Sequence, residues 1–254
     1  MADRIARVVA LGASNLTRGF QTVVSTARSA WGPEVEVFGA LGHGRSYGAR
    51  SRFTVRTLPG ILDSELWTDM SRLPAAPTRG LVTDVGNDIL YGFSASQTLA
   101  WTTEAVDRLQ GFTSDIVLTG LPLATIRELS RAKFLLFRSL LVPQCRLSLV
   151  EVVDAAERLH DGLVSLADAR GLRFCDLKPE WYGTDPIHIR PSLWPSAWQE
   201  ILRADVRGPQ ESMSWAEGVS LYLLRPKRRW ICGVAQVSIQ KGKTLRAGGR
   251  VWLY

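Results

Sequence analysis

Apolar runs recur along the chain, separated by longer amphipathic stretches. Residues 8–11 (VVAL) form the first run and read as a buried strand; 34–41 (EVEVFGAL), 79–85 (RGLVTDV), 115–121 (DIVLTGL) and 172–176 (LRFCD) read as four more. Helical patterns lie between and after them, at 16–31, 96–110, 126–141, 150–170 and 192–204. Apolar strands spaced by helices predict a parallel sheet with helices on both faces. Right-handed crossovers then bring every strand's carboxyl end to one edge, where a site is expected. Segment 45–78, rich in Arg and Pro, predicts a short helix and a loop that contributes to a substrate wall. The helical pattern breaks within 205–214, at Gly208-Pro209. Beyond it, 230–239 (WICGVAQVSI) and 250–254 (RVWLY) predict two or three antiparallel strands. The expected organisation is an α/β domain over 1–207 and a basic β extension over 208–254. So small an extension cannot bury a core alone and should pack on the domain or on a partner subunit.

With 254 residues, 46% of them hydrophobic, the chain is long enough for one large domain with a real core. No run of about 18 apolar residues occurs, so no membrane span is expected. The start, MADRIARVVALG, reads as the first strand and not as a signal peptide. Cys145, Cys175 and Cys232 are odd in number and far apart. They form neither a metal spacing nor a disulfide framework, which fits a reducing cytoplasm. The net charge of +7 is uneven, for the stretch from Arg225 to Arg250 holds Lys and Arg but no Asp or Glu. Such a tail can meet an anionic surface or simply keep the protein soluble. No RNA-binding signature accompanies it, so no nucleic-acid partner is expected. A homo-oligomer formed through the extension is compatible with it.

Four short segments fall at predicted strand ends: Gly12-Ala13-Ser14-Asn15-Leu16, Gly42-His43-Gly44-Arg45-Ser46, Val85-Gly86-Asn87-Asp88 and Asp185-Pro186-Ile187-His188. Together they supply the parts that acyl transfer to serine requires. A hydroxyl is a poor nucleophile without an adjacent base. His188 can be that base, because imidazole titrates near neutrality. Asp185, three residues earlier, can accept the other ring N–H and fix the tautomer. The developing oxyanion needs donors already aimed at it, and the backbone N–H groups of Ser14 and Gly44 and the Asn87 amide can serve.

The four blocks resemble those of the SGNH hydrolases, the GDSL esterase/lipase family, whose Ser, Gly, Asn and His match Ser14, Gly44, Asn87 and His188 in that chain order, with Asp185 matching the aspartate before the histidine. The resemblance covers about Val8 to His188. It departs from the family at Ala13, where an acidic residue usually precedes the serine, at Gly19, one residue late, and at Val85, in place of the third block's glycine. It implies a three-layer flavodoxin-like sandwich around a five-stranded parallel sheet, to which the tail adds a small C-terminal β appendage. It further implies hydrolysis of esters or thioesters with no metal and no cofactor. From the family's cytoplasmic members, a short acyl group such as acetyl on a small alcohol is expected. The alternative is an inert scaffold of this type that docks a partner through its basic extension.

Blander readings stand beside these. Ser14 or Asn15 can cap the helix that follows, and Asn87-Asp88 can be an ordinary turn pair. His43 is a rival base, but without a carboxylate nearby in sequence it reads as a wall residue or a donor behind the site. His160 reads as surface, and Trp194 and Trp198, four apart, as core. Arg45 and Arg50 read equally as anchors for an anionic group or as part of a solvated face.

Overall fold

The computed structural model describes residues 6–206, 213–246 and 248–254. The boundary expected at Gly208-Pro209 lies outside them. The chain begins with strand β1 (Arg7–Leu11), helix α1 (Ser14–Trp31) and β2 (Glu36–Ala40), then a hairpin of β3 (Ser51–Phe53) and β4 (Arg56–Leu58). It continues through α2 (Leu66–Ser71), β5 (Thr78–Val82), α3 (Asn87–Leu90), α4 (Ala95–Gln110) and β6 (Ile116–Thr119). Three helices, α5 (Leu123–Arg127), α6 (Arg131–Leu141) and α7 (Leu149–Arg170), lead to β7 (Arg173–Cys175) and α8 (Trp194–Ile201). The last part holds α9 (Trp215–Tyr222), β8 (Arg228–Ile231), β9 (Val234–Val237), β10 (Lys243–Thr244) and β11 (Arg250–Leu253).

The main sheet runs β10-β11-β2-β1-β5-β6-β7. Five consecutive strands of it, β2-β1-β5-β6-β7, are the parallel ones expected. The two further strands come from the C-terminal extension, with β11 parallel to β2 and β10 antiparallel to β11. Side chains alternate across the pleat, so β1 serves both layers. Val9 and Leu11 join one core with α4 and α7, while Val8 and Ala10 join the other with α1 and α8. Both faces are thus covered, which explains why these strands carry no polar alternation. Gly19 lets the second layer close, since a Cβ there would lie 2.0 Å from the Trp198 indole nitrogen. Trp198 is fully buried, as expected of a core residue.

Segment 45–78 differs from its expectation. It forms the β3–β4 hairpin as well as a short helix, α2. The hairpin is the half of a second, antiparallel sheet, β3-β4-β8-β9, whose other half comes from the extension. Arg45 is neither a ligand anchor nor solvated. It is fully buried and donates to the carbonyls of Pro59, Leu41 and Tyr254, and burial pulls its pKa down to about 9. Arg50 is exposed and stacks over Trp230, 4.6 Å from the ring centroid. His160 is not a surface residue: its side chain is 16% exposed, and Nδ1 accepts the Leu121 N–H at 3.2 Å. No helix of the described residues is long and apolar enough to cross a membrane.

Candidate functional site

Ser14 opens α1 immediately beyond β1, so its side chain stands at the carboxyl edge of the sheet. The first N–H groups of a helix have no partner within it. The residue at the cap position, Ala13, has no hydrogen-bonding side chain to offer, and neither Ser14 nor Asn15 takes the role. Asp84, beyond β5, takes it instead. Its Oδ2 accepts the N–H groups of Ala13 and Leu16, both at 3.0 Å. A carboxylate there also complements the positive end of the helix dipole. Asp84 holds φ at +58°, a left-handed conformation that Asp tolerates better than most residues.

Asn15 joins three loops. Its amide nitrogen donates to Asp84 Oδ1 at 2.9 Å and to the Ile187 carbonyl at 2.8 Å, and its oxygen accepts the Ile189 N–H at 2.8 Å. The nucleophile turn, the loop after β5 and the histidine loop are therefore tied at one buried side chain. Tyr47 ties the strand ends behind them, its hydroxyl donating to the Thr83 carbonyl at 2.7 Å and lying 3.2 Å from that of Leu11.

The histidine loop is held from within. Asp185 Oδ1 accepts the N–H groups of Ile187 and His188, both at 3.2 Å, and Oδ2 lies 2.7 Å from His188 Nδ1. Arg18 of α1 stands 3.6 Å from the same Oδ2. Burial pushes the Asp185 carboxyl up, but the hydrogen bond and charge of His188 and the two backbone N–H groups outweigh it and hold the group below the ordinary carboxylate range. The imidazole is 10% exposed.

Gly44 and Asn87 complete the arrangement. Gly44 has φ +61°, and a Cβ on it would lie 2.5 Å from the Tyr91 hydroxyl, which donates to the Gly44 carbonyl. Any side chain would break that contact. The Asn87 amide nitrogen is buried and makes no hydrogen bond among the described residues, so a donor stands unused beside the cavity. Asp88, next to it, is fully buried and accepts the Tyr47 N–H at 3.0 Å. Burial raises its pKa to about 6, against the opposing pull of the Ser46 hydroxyl and the Tyr47 N–H.

Ser14, Gly44, Asn87 and His188, four strand-end residues separated by up to 174 positions, line one cavity together with Arg18, His43, Phe53 and Tyr91. Asp185 stands behind the histidine. His43 packs its ring at 5.3 Å from that of Phe53. Burial lowers its pKa to about 4, helped by the charges of Arg56, His188 and Arg18, so it is a neutral wall residue. Among the described residues no group of three or more His, Cys, Asp or Glu side chains could hold a metal ion.

Sequence reasoning missed Asp84, Arg18, Tyr91 and Phe53. Helical spacing from Ser14 would have found Arg18, one turn along α1; nothing local signals the other three.

No family model matches the chain, and no curated protein matches it. Solved structures do resemble it. One shares 15% identity at a TM-score of 0.51, over 78% of this chain and 96% of that one. The psychrotrophic esterase EstA from Pseudoalteromonas sp. gives 13% and 0.49, over 78% and 96%. A member of the lipolytic protein G-D-S-L family from Veillonella parvula gives 11% and 0.49, over 80% and 99%. At such identities the likeness is one of fold, and the first match carries it: a mixed α/β chain with a mostly parallel central sheet and helices on both sides, the architecture that the resemblance to the SGNH hydrolases implied.

Proposed function

We propose that this chain is a serine hydrolase of carboxylic esters that works through an acyl-enzyme on Ser14. One observation carries the reading. Four strand-end loops bring a hydroxyl, an imidazole backed by a carboxylate at 2.7 Å, a left-handed glycine and a buried, unpartnered amide donor around one cavity. His188 takes the Ser14 proton as the Ser14 oxygen bonds to the carbonyl carbon. The tetrahedral oxyanion accepts hydrogen bonds from the N–H groups of Ser14 and Gly44 and from the Asn87 amide. The carbon–oxygen bond to the alcohol then breaks, and His188 gives its proton to the departing oxygen. Water repeats the sequence, losing a proton to His188, releasing the acid and restoring Ser14. Asp185 fixes the imidazole so that Nε2 is free for these transfers.

The substrate is a small-molecule ester, and the acetate ester, with the short acyl group that the family resemblance implies, is the first to be assayed. The scattered thiols support a cytoplasmic site of action. Hydrolysis of p-nitrophenyl acetate by the wild type, Ser14→Ala and His188→Ala tests the mechanism. A loss of about 10³-fold or more in both variants is expected; equal rates in all three overturn the reading. Labelling of the wild type, and not of Ser14→Ala, by a fluorophosphonate is the second expected result. An unlabelled wild type would favour the inert scaffold instead.

A further inference from the structure

Two cavities, not one, meet at Ser14. They share Ser14, Asn87, Leu90, Val142 and Ile187 and then diverge. One runs past Arg18, His43, Tyr91 and His188. The other runs among α5, α6 and α7, between Ile126, Leu129, Phe137, Val152 and Ala156. Its polar residues away from Ser14 and Asn87 are already engaged. Asp84 and Asn15 are spent on each other, on α1 and on the histidine loop, and Arg138 donates to the Leu147 carbonyl at 3.0 Å and packs over Phe134. The rest of the lining is largely hydrocarbon.

The position of His188 decides which half of an ester goes where. The imidazole that removes the serine proton must hand it to the departing oxygen, so the leaving group sits on the His188 side. His188 lines the first of these cavities and not the second. The acyl group stays bonded to Ser14 and extends into the space His188 does not line. Resting on the hydrolase reading above, we infer that the cavity lined by α5, α6 and α7 is the acyl site and that the preferred substrates are esters of an extended apolar carboxylic acid, longer than acetate. The acyl chain enters beneath α6, and the alcohol lies among Arg18, His43 and Tyr91. Each methylene that leaves water there should raise kcat/KM by up to roughly fourfold.

The test is a p-nitrophenyl ester series, from acetate through butyrate to octanoate, on the wild type, Ser14→Ala and two variants that fill the cavity from opposite walls, Ile126→Trp and Ala156→Leu. The wild type should show kcat/KM rising at least about tenfold from acetate to octanoate. The octanoate-to-acetate ratio should fall about tenfold or more in whichever filling variant folds. Free octanoate should inhibit the wild type competitively and bind Ser14→Ala. A wild-type optimum at acetate, or an unchanged ratio in a folded filling variant, overturns the inference and leaves the hydrolase reading standing. Absence of any Ser14-dependent hydrolysis across the series overturns both.

Discussion

The carboxylates on either side of Ser14 act over opposite ranges of the chain. The hydrogen bonds of Asp185 are local: its carboxylate holds two N–H groups and the imidazole, all within three residues of itself. In the loop after β5 the bonds are remote. Asp84 reaches residues about 70 positions earlier, and Asp88 reaches Tyr47, 41 positions earlier. A local carboxylate orients a side chain, and its loss should alter chemistry more than folding. A remote one closes the chain on itself, and its loss should alter folding before chemistry.

Asp185→Ala tests the local half and carries the largest expected effect. Loss of the imidazole's partner should lower kcat/KM by about 10²–10⁴-fold, while the thermal midpoint moves by no more than about 2 °C. A large fall in midpoint would break the contrast. Asp84→Ala tests the remote half. It leaves two backbone N–H groups at the start of α1 and one end of Asn15 without their acceptor, and should cost about 3 kcal/mol of stability in urea unfolding. Rate lost with no stability lost would put Asp84 in the local class.

Asp88 sharpens the contrast through pH. Its carboxyl has a pKa of about 6 in the folded chain against 3.8 ordinarily, so between those values the folded state binds the extra proton. Stability from this group is therefore present below about pH 4 and lost as pH rises through about 6, by up to about 2–3 kcal/mol. Asp88→Asn should remove that slope, narrowing the difference in unfolding free energy between pH 4 and pH 8 relative to the wild type. His43→Phe should do least. A ring already neutral near pH 7 contributes packing rather than proton transfer, so kcat/KM should stay within about threefold, with its pH profile unmoved. A shifted profile would make His43 a second base.

The two halves differ in the same way in how they can be read. Asp185 and His188 were legible because the bond between them spans three residues. The strand-end positions of Ser14, Gly44 and Asn87 were legible because each follows an apolar run. Asp84 sits in the same run and went unread, because its partners lie on another strand's loop. Arg45 misled for a related reason: an arginine in a loop normally points to water, and only the enclosure of three carbonyls makes its burial tolerable. The β3–β4 hairpin was hidden because its pairing partner, β8, lies some 175 residues away in the extension.

By itself the sequence determined the alternation of strands and helices, the parallel sheet buried on both faces and the edge at which the candidate residues gather. Those follow from side-chain periodicity and chain chirality, which act over a few residues at a time. Only the tertiary structure decided that Asp84 caps the nucleophile's helix, that Asn15 fastens three loops together, and that the space at Ser14 divides into a branch that His188 lines and one that it does not. Hydrogen bonds and cavities of that kind join residues the chain holds far apart, and their partners exist only once the chain has closed.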